Sequence, residues 1–312
     1  MDTDKSTKSD ELTRNDDRGN RESQANENIE LFRLSLRSLS NITLILPLSG
    51  LFICFVTGYI FQAEEIHETH CRELYEIEDI SQMEFFQVYN IIPSISSITG
   101  IRPQIYLWRS IIALHLTPRL VIAYVHRNYL TRHVLIKIQG QSQYAQAARL
   151  ASIVHYLNLI EIASLAGVTY VSNKENYPIH EKIFVTFMVT SLTYMLVSLR
   201  LLGVLQPNGP TNDQERRSLR YKRSFFALSI ASTIGLIVFF LKHRLLCHDL
   251  AFSWFAFCEY VVAISNMGFH CTTTLIDFPP LDLVVKSVNG HVLVENEQHN
   301  NVTTTENEKK ND

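Results

Sequence analysis

Residues 42–62 read ITLILPLSGLFICFVTGYIFQ, a stretch that contains no charged side chain. An α-helix rises about 1.5 Å per residue, so a helix of this length crosses the ~30 Å hydrocarbon core of a bilayer. The stretch is too long for the apolar part of a cleavable signal peptide, and the residues before it are polar. It therefore predicts an uncleaved membrane-spanning helix and argues against a soluble single domain.

Apolar stretches of similar length recur along the chain and are separated by polar connections. The fold class that they predict is an all-α membrane protein, a six-transmembrane-helix bundle, with a long polar loop at residues 63–104. We place the six spans at about residues 42–62, 105–126, 150–171, 183–205, 224–241 and 250–276.

The two ends of the chain differ from the apolar middle in composition. Residues 1–40 hold nine acidic and seven basic side chains, and residues 277–312 hold another ten charged side chains. Segments of this kind do not bury enough apolar surface to offset the loss of chain entropy on folding. We therefore predict disordered tails at residues 1–41 and 277–312 around a transmembrane domain of residues 42–276.

The distribution of Lys and Arg predicts how the chain is oriented in the membrane, because these residues accumulate in cytosolic loops. Six spans place both tails on one side. That side collects 19 Lys and Arg residues from tails and loops, whereas the other side has six. We therefore expect both termini in the cytosol and the 63–104 loop on the lumenal side.

The five cysteines show no metal-binding spacing, and no metal or cofactor is expected. Cys71 and Cys247 both fall in connections on the lumenal side, where an oxidising compartment favours a disulfide between them. The alternative is a pair of unpaired thiols. Cys54, Cys258 and Cys271 lie within spans, where cysteine usually acts as a small buried hydrophobic residue.

Several ionisable residues lie inside the predicted spans, where they are costly unless paired or functional. Arg119 could be neutralised by Glu161 or Glu259 and fix how the helices pack. Alternatively, these groups line a polar cavity for a lipid head group or a proton relay. The candidate intramembrane polar network comprises His115, Arg119, Glu161, Glu259, Asn266 and His270.

A second polar cluster falls at the lumenal ends of the spans, although ordinary interfacial polarity is the simpler interpretation. The chain has no GxSxG, HExxH or Walker motif that would define a catalytic site by spacing alone. The cluster comprises His70, Ser94, Ser96, Ser97, Trp108, Arg109, His180, Glu181 and His243.

The ordered series of motifs resembles the Frag/DRAM/Sfk family of six-span membrane proteins, over roughly residues 42–278. Within that family, the first four motifs resemble the branch that acts on GPI anchors, and about 18 extra acidic-rich residues (72–89) depart from it. The motifs are Thr69-His70-Cys71, Ile92-Pro-Ser-Ile-Ser-Ser97, Pro103-Gln104 with Tyr106 and Trp108-Arg109, Leu114-His115 with Pro118-Arg119, Glu161, Tyr170-Val-Ser172, His180-Glu181, His243 with Cys247, Glu259-Tyr260, and Asn266-Met267 with Phe269-His270.

The resemblance implies a Golgi membrane protein that takes part in remodelling the lipid of GPI anchors. In that step a lyso-GPI intermediate is reacylated with a saturated fatty acid, which stable surface expression of GPI-anchored proteins requires. The expected partners are the GPI lipid, GPI-anchored proteins and membrane lipids as a possible acyl donor, with no nucleic acid. The chain is then either the acyltransferase or its required helper; the alternative is a non-enzymatic scaffold or lipid-regulatory protein.

The depth of the substrate hydroxyl decides which cluster is the better catalytic candidate. The free glycerol hydroxyl of a lyso-GPI lies at the lumenal head-group boundary, about 15 Å from the midplane of the bilayer. Glu161 and Glu259, near mid-depth, are expected to act through folding instead. The catalytic candidates are His180, Glu181, His70, Arg109 and His243.

Overall fold

A computed structural model describes residues 29–67, 70–71, 86–288 and 291–298, most of which are helical. The helices are α1 (Leu36–Phe61), α2 (Ala63–His67), α3 (Ile95–Thr99), α4 (Gln104–Tyr129), α5 (Gln141–Tyr170), α6 (Tyr177–Leu205), α7 (Asp213–Leu246) and α8 (Ala251–Thr272). The strands are β1 (Ile29–Ser35), β2 (His70–Cys71), β3 (Phe86–Gln87), β4 (Leu281–Val288) and β5 (His291–Gln298).

Five helices of the described chain are long and apolar enough to cross a membrane: α1, α4 with its continuation to Lys137, α5, α6 and α7. This confirms a helical protein that passes the membrane several times. The sixth predicted span is also helical, as α8, although it is not among these five helices. The count of six spans is therefore not established by length and composition.

The long helices expose large apolar side chains and bury a number of polar ones. Large apolar residues are exposed on the long helices, including Phe52 at 68% and Leu114 at 63%. Buried positions, in contrast, include the polar Glu161 and Ser265, both with 0% exposure. An apolar surface around a partly polar interior is the arrangement expected of a bundle surrounded by lipid.

Several helices begin before the predicted apolar stretches because polar residues cap them. The side chain of Asn176 accepts the backbone N–H of Ile179 at the start of α6, and Asn212 accepts that of Glu215 at the start of α7. Each cap satisfies a backbone donor that the first helical turn leaves without a partner. The helices therefore continue into the polar connections, beyond the apolar residues that mark the spans.

The described parts of the two tails, where composition predicts disorder, contain strands at residues 29–35, 281–288 and 291–298. In this small unit β1 pairs antiparallel with β4, and β4 pairs antiparallel with β5. Arg33 joins the two tails through an ion pair with Asp282 and also pairs with Glu30 of its own strand. Local composition missed the sheet because its first two strands are about 250 residues apart. Residues 1–28 and 299–312 lie outside the described residues.

In the larger unit, residues 39–278, α7 and α8 approach closely at two glycines. A Cβ atom at Gly235 would lie 2.8 Å from the sulfur of Cys258, and one at Gly268 would lie 2.6 Å from the ring of Phe225. Small residues permit such close helix contacts in membranes, where burial of apolar surface gives little drive for association.

Cys247, which follows α7, is disulfide-bonded, whereas Cys54, Cys258 and Cys271 are free. The backbone of Cys71 belongs to β2, which contacts α7. The side chain of Cys71 lies outside the described residues, so the pairing of Cys71 with Cys247 stays a prediction.

We expect Cys71→Ser and Cys247→Ser each to lower the free energy of unfolding by about 2–4 kcal/mol, since both would release the same long loop. The double variant should be no less stable than either single variant. Thermal unfolding of the detergent-solubilised protein measures the loss, with the free cysteine variant Cys271→Ala as control. Additive losses, or labelling of both thiols in the native protein, would contradict the bond.

Candidate functional site

The segment of residues 88–103, between α2 and α4, folds back against α8. The backbone N–H of Leu250 donates to the Tyr89 carbonyl, and the N–H of Ile91 donates to the hydroxyl of Ser253. Deeper along α8, the N–H of Ile95 donates to Glu259 Oε2 at 2.8 Å. Glu259 lies eight residues after the first residue of α8, about 12 Å along the helix axis. The segment therefore enters the bundle, and α3 lies inside it.

This entry places Ser96 of α3 beside His180 of α6. Ser96 Oγ lies 3.0 Å from His180 Nε2, and His180 Nδ1 lies 2.6 Å from the Val171 carbonyl oxygen. A carbonyl only accepts hydrogen bonds, so in the neutral imidazole Nδ1 carries the proton and Nε2 accepts the Ser96 hydroxyl. A hydroxyl that donates to an oriented imidazole is the arrangement of an activated nucleophile and its base.

Arg109 holds the connection that supplies the Val171 carbonyl. Its guanidinium donates to the Tyr170 carbonyl at 2.9 Å and forms an ion pair with Glu175. Glu175 in turn accepts the N–H and the hydroxyl of Ser172. The Ser172 backbone N–H, together with Arg109, lowers the pKa of the Glu175 carboxyl from its ordinary value. Arg109 therefore acts as a positioning residue for His180.

Two cavities meet at the Ser96–His180 pair. The inner cavity, of about 120 Å³, lies between α1, α4, α5, α6 and α8 and extends to Arg119. The outer cavity, of about 220 Å³, lies between α6, α7 and α8. Both are lined mainly by apolar side chains. Four residues line both cavities: Ser96, His180, Phe184 and Glu259.

Beyond the inner cavity, Glu161 is the centre of a buried polar network. Its Oε1 atom accepts hydrogen bonds from Arg119, from Asn266 at 2.9 Å and from His270 at 2.9 Å. The Asn266 amide also donates to Ser191 at 2.7 Å. Between the two carboxylates considered above, the structure therefore joins Arg119 to Glu161. His115, another member of the proposed group, is buried and lines the inner cavity.

Glu259 is placed differently from its expected role as a partner for Arg119. Its carboxylate accepts the Ile95 N–H, and it lines the same two cavities as His180. Glu259 therefore adjoins the same cavities as the catalytic candidate His180. The physical reason is that residues 88–103 enter the bundle and carry polar groups down to Glu259.

The other catalytic candidates do not gather around His180 in the same way. Glu181 lines the outer cavity. His243 is buried against the ring of Phe252, and it is not among the residues that line the two cavities. The side chain of His70 lies outside the described residues.

Ser96 is the residue whose position beside His180 sequence reasoning missed. It belongs to the predicted rim cluster, but no motif connects it with His180, 84 positions later. The Val171 carbonyl carries no sequence signal, because every residue has a backbone carbonyl. The signals in the sequence were the motif at residues 92–97, which contains Ser96, and the motif at residues 180–181, which contains His180. Neither motif indicated that the two residues meet.

Comparison with known proteins shows that the chain is similar to proteins named for their role after GPI attachment. A family model described as the Frag1/DRAM/Sfk1/Cwh43P N-terminal domain matches residues 35–281. The chain is 52% identical over 245 residues to a Drosophila melanogaster protein named post-GPI attachment to proteins factor 2-like, covering 78% of this chain and 70% of that protein. It is 32% identical over 259 residues to a Xenopus tropicalis protein named acyltransferase PGAP2, covering 82% of this chain and 93% of that protein. No solved structure matches significantly.

The network around Glu161 leads to a stability prediction. We expect Glu161→Ala to lower the free energy of unfolding by about 3–5 kcal/mol, because the buried Arg119 guanidinium loses its carboxylate partner. The double variant Arg119→Met/Glu161→Met, which removes both charges, should lose less. Thermal unfolding in detergent measures both variants. A double variant as unstable as Glu161→Ala would show that the ion pair does not account for the loss.

Proposed function

This chain belongs to the Frag1/DRAM/Sfk1/Cwh43P family, and on that premise we propose that it restores an acyl chain to the lyso-GPI intermediate of a GPI anchor. Its relatives carry the names post-GPI attachment to proteins factor 2 and acyltransferase PGAP2. We further propose that this chain performs the transfer itself, with a saturated fatty acid, at the junction of the two cavities.

One observation carries the assignment of the chemistry: a histidine base lies where two largely apolar cavities meet. Moving an acyl chain between lipids requires removal of a proton from a hydroxyl, and imidazole suits that role near neutral pH. The outer cavity is bordered by Val185, Ile237 and Leu241, whose side chains are 47–53% exposed on the bundle surface. In a membrane that surface faces lipid, so a lipid substrate can reach His180 from the side.

A non-enzymatic scaffold or lipid-regulatory protein, the alternative function, is less well supported by this arrangement. Polar groups within a membrane bundle are costly and tend to be kept where they serve a function. Binding or scaffolding alone requires no oriented imidazole with a hydroxyl at hydrogen-bond distance from its free nitrogen.

We propose six spans, with α8 as the sixth, both termini in the cytosol and residence in the Golgi membrane. Because α8 packs closely against α7 and contributes Asn266 and His270 to the buried network, it belongs inside the bundle. The orientation follows the excess of Lys and Arg on the side of the two tails. The Ser96–His180 pair then lies toward the lumen, where the lyso-GPI glycerol is expected.

The topology is tested with epitope tags at each terminus. Antibodies should not reach either tag in intact cells. Both tags should become accessible once the plasma membrane alone is permeabilised, as expected of cytosolic termini. A third tag inserted within residues 72–85 should require permeabilisation of internal membranes as well. Lumenal exposure of either terminal tag would contradict the six-span arrangement.

The catalytic assignment is tested with His180→Ala. The purified variant should transfer a labelled acyl chain from phospholipid to lyso-GPI about 10²–10⁴ times more slowly than wild type, since it lacks the base. In cells that lack the endogenous activity, it should fail to restore surface levels of GPI-anchored proteins at normal abundance. The exposed histidine variant His133→Ala is the matched control and should retain activity.

Two results would contradict the proposal in different ways. Acyl transfer by His180→Ala at the wild-type rate would show that His180 is not the base. No transfer by the purified wild-type chain, combined with rescue in cells, would make the chain a helper of another acyltransferase.

A further inference from the structure

We propose that Ser96 is a covalent nucleophile, which carries the acyl chain as an ester between the donor lipid and the lyso-GPI. This inference rests on the proposed function and adds to it the identity of the atom that is acylated first. Direct attack by the lyso-GPI hydroxyl on the donor, with His180 as base, is the competing mechanism.

The geometry around His180 favours Ser96 over an incoming lipid as the first group to be activated. Nε2 already accepts the Ser96 hydroxyl at 3.0 Å, while the Val171 carbonyl orients the ring through Nδ1. The carbonyl occupies the place that a carboxylate has in a Ser-His-Asp triad. A lipid hydroxyl could reach Nε2 directly only by displacing this hydrogen bond.

The neighbouring hydroxyls of the same segment have other roles. Ser94 and Ser97 hydrogen-bond to each other at 2.8 Å, and Ser94 Oγ also accepts the Ser97 N–H as the cap of α3. Ser97 is not among the residues that line the two cavities, whereas Ser96 lines both. Ser97→Ala is therefore a matched control one position away.

Glu259 holds Ser96 in place by binding the backbone of Ile95, the residue before it. Its carboxylate accepts the Ile95 N–H at 2.8 Å, and the adjacent Tyr260 hydroxyl donates to the Pro93 carbonyl at 3.2 Å. These two bonds tie the backbone just before Ser96 to α8. Without these two hydrogen bonds, residues 88–103 would lose their position against α8. Glu259 is therefore a positioning residue.

In the first step, the Ser96 hydroxyl gives its proton to His180 Nε2 while Oγ bonds to the ester carbonyl carbon of a glycerophospholipid. The ester C–O bond of the donor then breaks, and the departing glycerol oxygen takes the proton from Nε2. The products are acyl-Ser96 and a lysophospholipid.

In the second step, the free glycerol hydroxyl of the lyso-GPI gives its proton to Nε2 and its oxygen bonds to the acyl carbon. The C–O bond to Ser96 breaks, and Oγ recovers the proton. No oxidant, metal or nucleotide is consumed. The outer cavity, with its exposed border, admits each lipid in turn, and the inner cavity provides apolar space beside Ser96.

The test uses the purified full chain in liposomes of phosphatidylcholine labelled in its acyl chain, without lyso-GPI. Wild type and Ser97→Ala should acquire protein-bound label that maps to the peptide containing Ser96, and Ser96→Ala should acquire none. Ser96→Cys should carry the label as a thioester, which neutral hydroxylamine releases, whereas the wild-type ester resists that treatment. A parallel arm with labelled acyl-CoA distinguishes a thioester donor from the phospholipid.

Transfer to lyso-GPI is measured on the same preparations. Ser96→Ala should lose at least about 10³-fold in transfer, as when other activated serine nucleophiles are removed. Initial rates of wild type against both lipids should give the parallel double-reciprocal lines of a two-step exchange. Elution as a monodisperse peak with unchanged thermal unfolding shows that each variant is folded.

The outcomes separate this inference from the function on which it rests. Transfer that survives Ser96→Ala would overturn the proposed intermediate while leaving acyl transfer intact. Protein-bound label that appears with acyl-CoA but not with phosphatidylcholine would overturn the phospholipid as the donor. Absence of transfer by wild type would overturn the proposed function and the intermediate together.

Discussion

The carboxylate of Glu161 is fully buried and accepts hydrogen bonds from Arg119, Asn266 and His270. In a membrane bundle no bulk water is at hand for such groups, so each must find its partner on another helix. This single carboxylate thereby connects α4, α5 and α8. The arrangement of the helices around the inner cavity depends on that connection, because Arg119 and Asn266 also line this cavity.

The same constraint explains how an irregular segment can enter the bundle. Non-helical backbone is tolerated at membrane depth only where protein groups satisfy its donors and acceptors. Residues 88–103 meet this condition through α8, since Ser253, Glu259 and Tyr260 bond to their backbone. The satisfied segment carries Ser96 to His180, so the polar groups that make the fold possible also assemble the candidate catalytic site.

Arg109 bears on the candidate site through the connection between α5 and α6. Its contacts with the Tyr170 carbonyl and Glu175 hold the short connection between α5 and α6. That connection presents the Val171 carbonyl to His180. Orientation of the imidazole therefore begins in α4, and the sheet of β1, β4 and β5 forms a separate unit of the chain.

The sequence alone determined that this is a helical membrane protein, because uninterrupted apolar stretches of about 20 residues have few other uses. It also identified His180, Arg119 and Glu161 as unusual, since ionisable groups in or beside such stretches are costly. Which ionisable groups pair with each other could not be deduced from the sequence in the same way. A charge in one helix can face any of several others, and Arg119 had two plausible carboxylates, Glu161 and Glu259.

Only the tertiary structure decided which groups meet. Apolar periodicity describes a helix in isolation, whereas the fold of residues 88–103 depends on hydrogen bonds to α8, about 160 positions later. For that reason the sequence did not bring Glu259 and Ser96 to the same cavities as His180. The sheet between the two tails was missed for the same reason: strands far apart in sequence stabilise each other only after the chain has folded.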